Sequence, residues 1–216
     1  KEGEIVPPQV LTPQVGTNDT PKPSPDGQWI AYIAGPEQRS SALNHNLAVI
    51  PAAGGEPRLL TEALDAQIHD FEWSQDSQSL YLTFCSWGSV GIHRVSLEGQ
   101  AEQVVTGTRQ VLGFDVGPDH LAYVVTAPDI PADLVVSGLD GQDERRCTEI
   151  NAKFLAERWL SKPEEVRYTR PDGTRIQGWV MFPPDFDPAK PYPLAVEIHG
   201  GPHAMWGYTF WHEFQA

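Results

Sequence analysis

Three times along the chain an Asp-bearing turn runs at once into a short apolar strand. Ser24-Pro25-Asp26-Gly27 precedes Trp29-Ile30-Ala31-Tyr32, Ser74-Gln75-Asp76-Ser77 precedes Leu80-Tyr81-Leu82, and Gly117-Pro118-Asp119 precedes Leu121-Ala122-Tyr123. The three Asp lie 50 and 43 residues apart. Each strand is followed by a second apolar pair around a Gly turn, and these pairs close on Thr61, Thr106 and Thr148, which lie 45 and 42 residues apart. Two independent markers therefore keep one period. A period in the forties with about four strands per unit is the pattern of β-propeller blades. Propellers need about four to eight blades to close a ring, and open blades leave sheet edges unpaired. The sequence thus predicts further blades upstream, with this chain an internal piece of a longer protein.

The composition agrees with a packed, mostly β chain. Hydrophobic residues make up 40% of the 216 positions and seven are Trp, enough for a sizeable core, while 19 Gly and 20 Pro supply turns between short strands. Trp29, Trp73, Tyr81 and Tyr123 are expected at equivalent blade positions, packing between sheets. A formal charge of −14, from 15 Lys and Arg against 29 Asp and Glu, argues against a nucleic-acid surface, which needs a basic patch. No stretch approaches the roughly 20 apolar residues of a membrane helix. Cys85 and Cys147 fit no disulfide framework or metal signature and read as buried structural thiols in a reduced, cytoplasmic setting.

After Thr148 the character changes. Residues 151–160 have helix-forming composition behind a plausible Asn151 cap, with Pro163 as a stop. Residues 165–169 and 175–182 flank Pro171-Asp172-Gly173 and predict a hairpin. A proline-rich loop leads to the apolar run 194–198, read as a strand, which empties into His199-Gly200-Gly201-Pro202-His203.

A strand ending in paired glycines offers bare backbone N–H groups close to a substrate, as an acyl-transfer site needs for the negative charge that develops on the carbonyl oxygen. By itself Gly200-Gly201-Pro202 is only a tight turn; the hairpin, strand and blades around it give it meaning. A metal site fails on sequence grounds. His199 and His203 stand four apart, but Gly200, Gly201 and Pro202 oppose a helix, and His212-Glu213 is not followed by a second His because position 216 is Ala. No cofactor is implied. No Gly-x-Ser-x-Gly nucleophile turn occurs in the chain.

Blades, an Asp-Gly hairpin, a proline-rich loop, an apolar strand and then His199-Gly200-Gly201-Pro202 together resemble the prolyl oligopeptidase family of serine peptidases, in its acylaminoacyl-peptidase-like branch. The resemblance implies β-propeller blades with their connector over residues 1–158, followed by the start of an α/β-hydrolase domain over 159–216. It implies a serine exopeptidase for short, N-acylated peptides, with the propeller restricting substrate size and with the Ser, Asp and His of the triad beyond Ala216. Transferred by motif, the main-chain N–H of Gly201 is the oxyanion donor, with His199, Gly200 and Pro202 shaping the turn and His199 taking no part in proton transfer. The expected partners are short peptide substrates and the remaining parts of the same protein, with homo-oligomerisation left open. A dipeptidyl peptidase or oligopeptidase of the same family, and a non-catalytic propeller binding protein, are the alternatives.

Overall fold

A computed structural model describes residues 7–12, 16–37, 43–201 and 204–215. Each repeat contributes four strands. The first forms β1 (Asn18–Pro23), β2 (Trp29–Ala34), β3 (Asn46–Pro51) and β4 (Arg58–Leu59), an antiparallel sheet in chain order. The second forms β5 (Ile68–Trp73), β6 (Ser79–Ser86), β7 (Ser89–Ser96) and β8 (Ala101–Val105), and the third β9 (Gln110–Val116), β10 (His120–Ala127), β11 (Ile130–Gly138) and β12 (Arg145–Arg146). A single parallel bridge, Val90 to Gln110, joins the second set to the third. No sheet closes on itself among the described residues. None of their helices is long and apolar enough to cross a membrane.

Chemistry at the turns explains the period. In the first, Ser24 Oγ donates to Asp26 Oδ1 at 2.5 Å and accepts the Trp29 N–H, while Asp26 Oδ1 also accepts the Gln28 N–H. In the second, Ser74 Oγ donates to Asp76 Oδ1 at 2.7 Å and accepts the Ser79 N–H, with the Gln78 N–H on Asp76. Gly27 and Ser77 hold the same left-handed position, at φ +71° and +61°. The Asp thus satisfies turn N–H groups that no ladder reaches.

The closing Thr works the same way at the far end. Thr61 Oγ1 accepts the Leu47 N–H and donates to Asn46 Oδ1, and Thr148 Oγ1 accepts the Leu134 N–H and donates to Asp133 Oδ1. In the second repeat Gly91 stands where Asn46 and Asp133 stand, and a Cβ there would strike the Val105 carbonyl. Thr106 is accordingly exposed.

Aromatic positions depart from expectation. The bonds that open the turns, Ser24 N–H to Trp29 O, Ser74 N–H to Ser79 O and Gly117 N–H to His120 O, align Tyr32 with Leu82 and Tyr123, not Trp29 with Trp73 and Tyr81. The third turn is shorter, which shifts the phase that a reading of sequence alone assigns. Tyr81, Tyr123 and Trp73 are buried core, whereas half-buried Trp29 lies beneath the Arg58 guanidinium.

Two compact units are present: one runs up to Leu82 and includes Arg94–Glu102, the other comprises Thr83–His93 and everything from Gln103 on. In the first, the run Leu47, Ala48, Val49, Ile50 is buried on both faces of β3, as in a sheet covered on both sides. Lys22 of β1 reaches β5, donating to the Phe71 carbonyl and to Glu72, each at 2.6 Å, and the Trp73 indole N–H returns to the Lys22 carbonyl. In the second, Arg109 grips Glu144 with two guanidinium N–H groups, and buried Tyr123 donates its hydroxyl to the same carboxylate.

Both thiols differ from a buried pair. Cys85 is half-buried and burial pushes its thiol up. Cys147 is exposed, because it follows the two-residue edge strand β12, where one side faces solvent.

Candidate functional site

Beyond β12 come helix α1 (Ala152–Ala156), then β13 (Glu164–Thr169) and β14 (Arg175–Val180), paired in register from Glu164–Val180 to Thr169–Arg175. The helix is shorter than 151–160, and Asn151 caps it without a side-chain bond; none of its residues is buried, so little packing extends it. The hairpin turn forms as expected, with Asp172 accepting the Thr174 N–H at 2.9 Å.

The run 194–198 is not a strand. Leu194, Val196 and Ile198 are 83, 70 and 83% exposed. In a strand Leu194, Val196 and Ile198 would share one face, which needs a pairing neighbour and a cover, and among the described residues no strand pairs with this run.

Gly201 follows with φ +133°, a conformation that a side chain opposes. Gly200 lies outside that region and a Cβ there would meet nothing within 4 Å, so freedom of the backbone is needed at Gly201. The exposed His199 imidazole stands with Nδ1 3.2 Å from the Gly200 carbonyl oxygen, a contact within the turn. Pro202 and His203 lie outside the described residues.

Residues after the turn are held from several directions within the second unit. The Tyr208 N–H donates to the Gly88 carbonyl at 2.7 Å and the Phe210 N–H to Thr126 Oγ1 at 3.1 Å. Gln215, in the short helix α2 (His212–Gln215), accepts the Ser161 N–H and donates to the carbonyls of Ser161 and Pro128. Trp206 meets Trp211 and Phe214 edge-on, with centroids 4.9 and 5.0 Å away, and with Trp179, Met181 and Pro128 they line a narrow apolar cleft. The buried Trp206 indole N–H has no partner among the described residues. Glu165, whose carboxyl Arg167 and then Gln177 hold below the usual range, accepts from both and from the Tyr208 hydroxyl.

Sequence reasoning reached the glycine turn and missed what holds its surroundings: Trp87, Gly88, Thr126 and Gln215. The one local signal was Trp87-Gly88 as a two-residue turn between β6 and β7, an unusual place for an aromatic ring. Arg145 and Arg146 lie on the exposed edge strand β12, with Arg146 3.8 Å from Asp133.

No protein-family model matches the chain. An uncharacterized peptidase, YuxL, of Bacillus subtilis is 40% identical over 145 residues, which is 66% of this chain and 22% of that protein. Dipeptidyl-peptidase 5 of Porphyromonas gingivalis is 27% identical over 190 residues, 87% of this chain and 28% of the relative. Among solved structures, an acylaminoacyl peptidase in complex with Z-Gly-Gly-Phe-chloromethyl ketone superposes with a TM-score of 0.76 at 24% identity, over 88% of this chain and 29% of that one. The chain is similar to peptidases of the prolyl oligopeptidase family. The likeness is to acylaminoacyl peptidases in fold and to dipeptidyl-peptidase 5 in sequence. The chain spans about a quarter of the length of the relatives it matches.

Proposed function

We propose that the full-length protein is a serine exopeptidase of acylaminoacyl-peptidase type, that residues 159–216 begin its α/β-hydrolase domain, and that the main-chain N–H of Gly201 is one donor of its oxyanion hole. The observation that carries the reading is Gly201 at φ +133°, directly after an apolar run. In acyl transfer a serine oxygen, supplied from beyond Ala216, attacks the substrate carbonyl carbon while its proton passes to an imidazole. The former carbonyl oxygen gains negative charge, and a fixed N–H stabilises it more than it stabilises the ground state. The blades restrict entry to short peptides.

Dipeptidyl-peptidase activity is the second reading, favoured by the likeness to dipeptidyl-peptidase 5 over 87% of the chain. The two differ in whether the substrate amine is acylated or free.

Gly201→Pro and Gly201→Ala in the full-length protein test the donor. Both oppose the φ of this position, but only Pro deletes the N–H. If the N–H is the donor, Gly201→Pro falls below Gly201→Ala in kcat by about 100- to 1,000-fold. Equal kcat in the two variants removes Gly201 from the oxyanion hole.

A further inference from the structure

The turn between β6 and β7 is made of Trp87 at φ +48° and Gly88 at φ +82°. A two-residue turn with both residues left-handed favours Asn-Gly or Asp-Gly, and an aromatic residue there strains the backbone. The indole is 44% exposed, so burial in a core does not account for it. Instead the guanidinium groups of Arg167 and Arg175, from β13 and β14, each lie 4.9 Å from its ring.

The two carbonyls of this turn are both occupied. Gln177 Nε2 of β14 donates to Trp87 O at 3.1 Å, and the Tyr208 N–H donates to Gly88 O at 2.7 Å. Gln177 precedes the glycine turn in the chain and Tyr208 follows it, so the excursion from 177 to 208 leaves and returns at one point. Gln110 Nε2 adds a third donor, to Gly88 O at 3.2 Å. There is no room for variation at Gly88: a Cβ would stand 2.5 Å from Trp179 Cζ2.

We propose that the Trp87-Gly88 turn is a positioning element for the peptidase site, fixing both ends of the excursion that carries Gly201. The inference rests on the oxyanion role of Gly201. Trp87 touches no reacting atom; it sets the alignment of the backbone that does, and misplacement of about 1 Å in such a site costs up to about 100-fold in rate.

The test uses the full-length protein with Trp87→Ala, Trp87→Phe and Gly88→Ala, assayed on an N-acetylated amino-acid p-nitroanilide, with melting temperature and amide hydrogen exchange measured alongside. Positioning predicts that Trp87→Ala lowers kcat about tenfold while KM stays within about twofold. The melting temperature hardly moves, exchange over 204–212 speeds up, and Trp87→Phe recovers most of the rate by restoring a ring between the guanidiniums. Gly88→Ala repeats the kcat loss. Unchanged kcat and unchanged exchange in Trp87→Ala overturn the proposal, as does a kcat loss that tracks a lowered melting temperature and is not recovered by Phe. Should the wild-type protein hydrolyse no peptide substrate, the peptidase reading fails separately, and exchange over 204–212 still decides whether this turn holds that segment.

Discussion

Thr126 Oγ1 accepts the Phe210 backbone N–H at 3.1 Å and donates to the Ile130 carbonyl at 2.9 Å, so one buried hydroxyl at the end of β10 both closes its own hairpin and holds the chain that follows the glycine turn. Deleting it without changing shape isolates those bonds. Thr126→Val is expected to destabilise the chain by about 1 kcal/mol, because two part-buried backbone groups lose a partner. Urea denaturation checks it, and a change below about 0.5 kcal/mol contradicts the role.

The closing Thr residues are not equivalent despite their even spacing. Thr61 is fully buried and serves Leu47 and Asn46, so Thr61→Val should cost about 1–3 kcal/mol. Thr106 faces solvent with Gly91 opposite, and Thr106→Val should stay within about 0.5 kcal/mol. Equal losses in urea denaturation would contradict the two geometries.

Tyr123 is buried and its phenol is pushed up to about 12 by burial, with the Glu144 hydrogen bond acting in the same direction. The Arg109 guanidinium in turn holds Glu144 below the usual carboxylate range. Tyr123→Phe removes one hydrogen bond, for about 1 kcal/mol. Glu144→Ala should cost more, since it strands the Tyr123 hydroxyl and Arg109 together. Comparing both with the double variant measures their coupling: losses that simply add would show that the three groups do not act as a network.

His93 stacks on Phe84 at 4.1 Å with a buried Nδ1 that has no partner among the described residues, and burial lowers its pKa to about 4. An unfolded imidazole titrates near 6.5. Between these values the unfolded chain holds a proton that the folded chain lacks, so stability falls as pH drops through that window. His69, lowered by burial as well, acts in the same sense. The depressed carboxylates of Asp76 and Glu144 act at lower pH. His93→Phe should therefore lose less stability than wild type between about pH 7 and pH 5; equal losses, measured as melting temperature, would show that His93 is not the titrating group.

Blade structure was legible in the sequence because its markers are local. Asp26 and Asp76 work through N–H groups two residues away, and such short-range chemistry repeats with the sequence. Phase was less legible: the shorter turn at Gly117 hides the equivalence of Tyr32 and Tyr123. The glycine turn could be found, yet 194–198 could not be judged from its own residues, since a strand exists only through its neighbours. Trp87 and Gly88 matter because the fold sets Gln177 and Tyr208 opposite them, and that separation along the chain leaves no pattern within any short window.

The proposed serine-peptidase action of the full-length protein on N-acylated substrates is tested with paired substrates. Turnover of N-acetyl-alanine p-nitroanilide is compared with that of alanyl-alanine p-nitroanilide, before and after treatment with a fluorophosphonate that reacts with activated serines. The expected result is turnover of the acetylated substrate in preference to the free-amine one, abolished by labelling of a single serine beyond Ala216. Preference for the free amine would move the protein to the dipeptidyl-peptidase reading, and no hydrolysis of either substrate together with no labelling would rule out a serine peptidase.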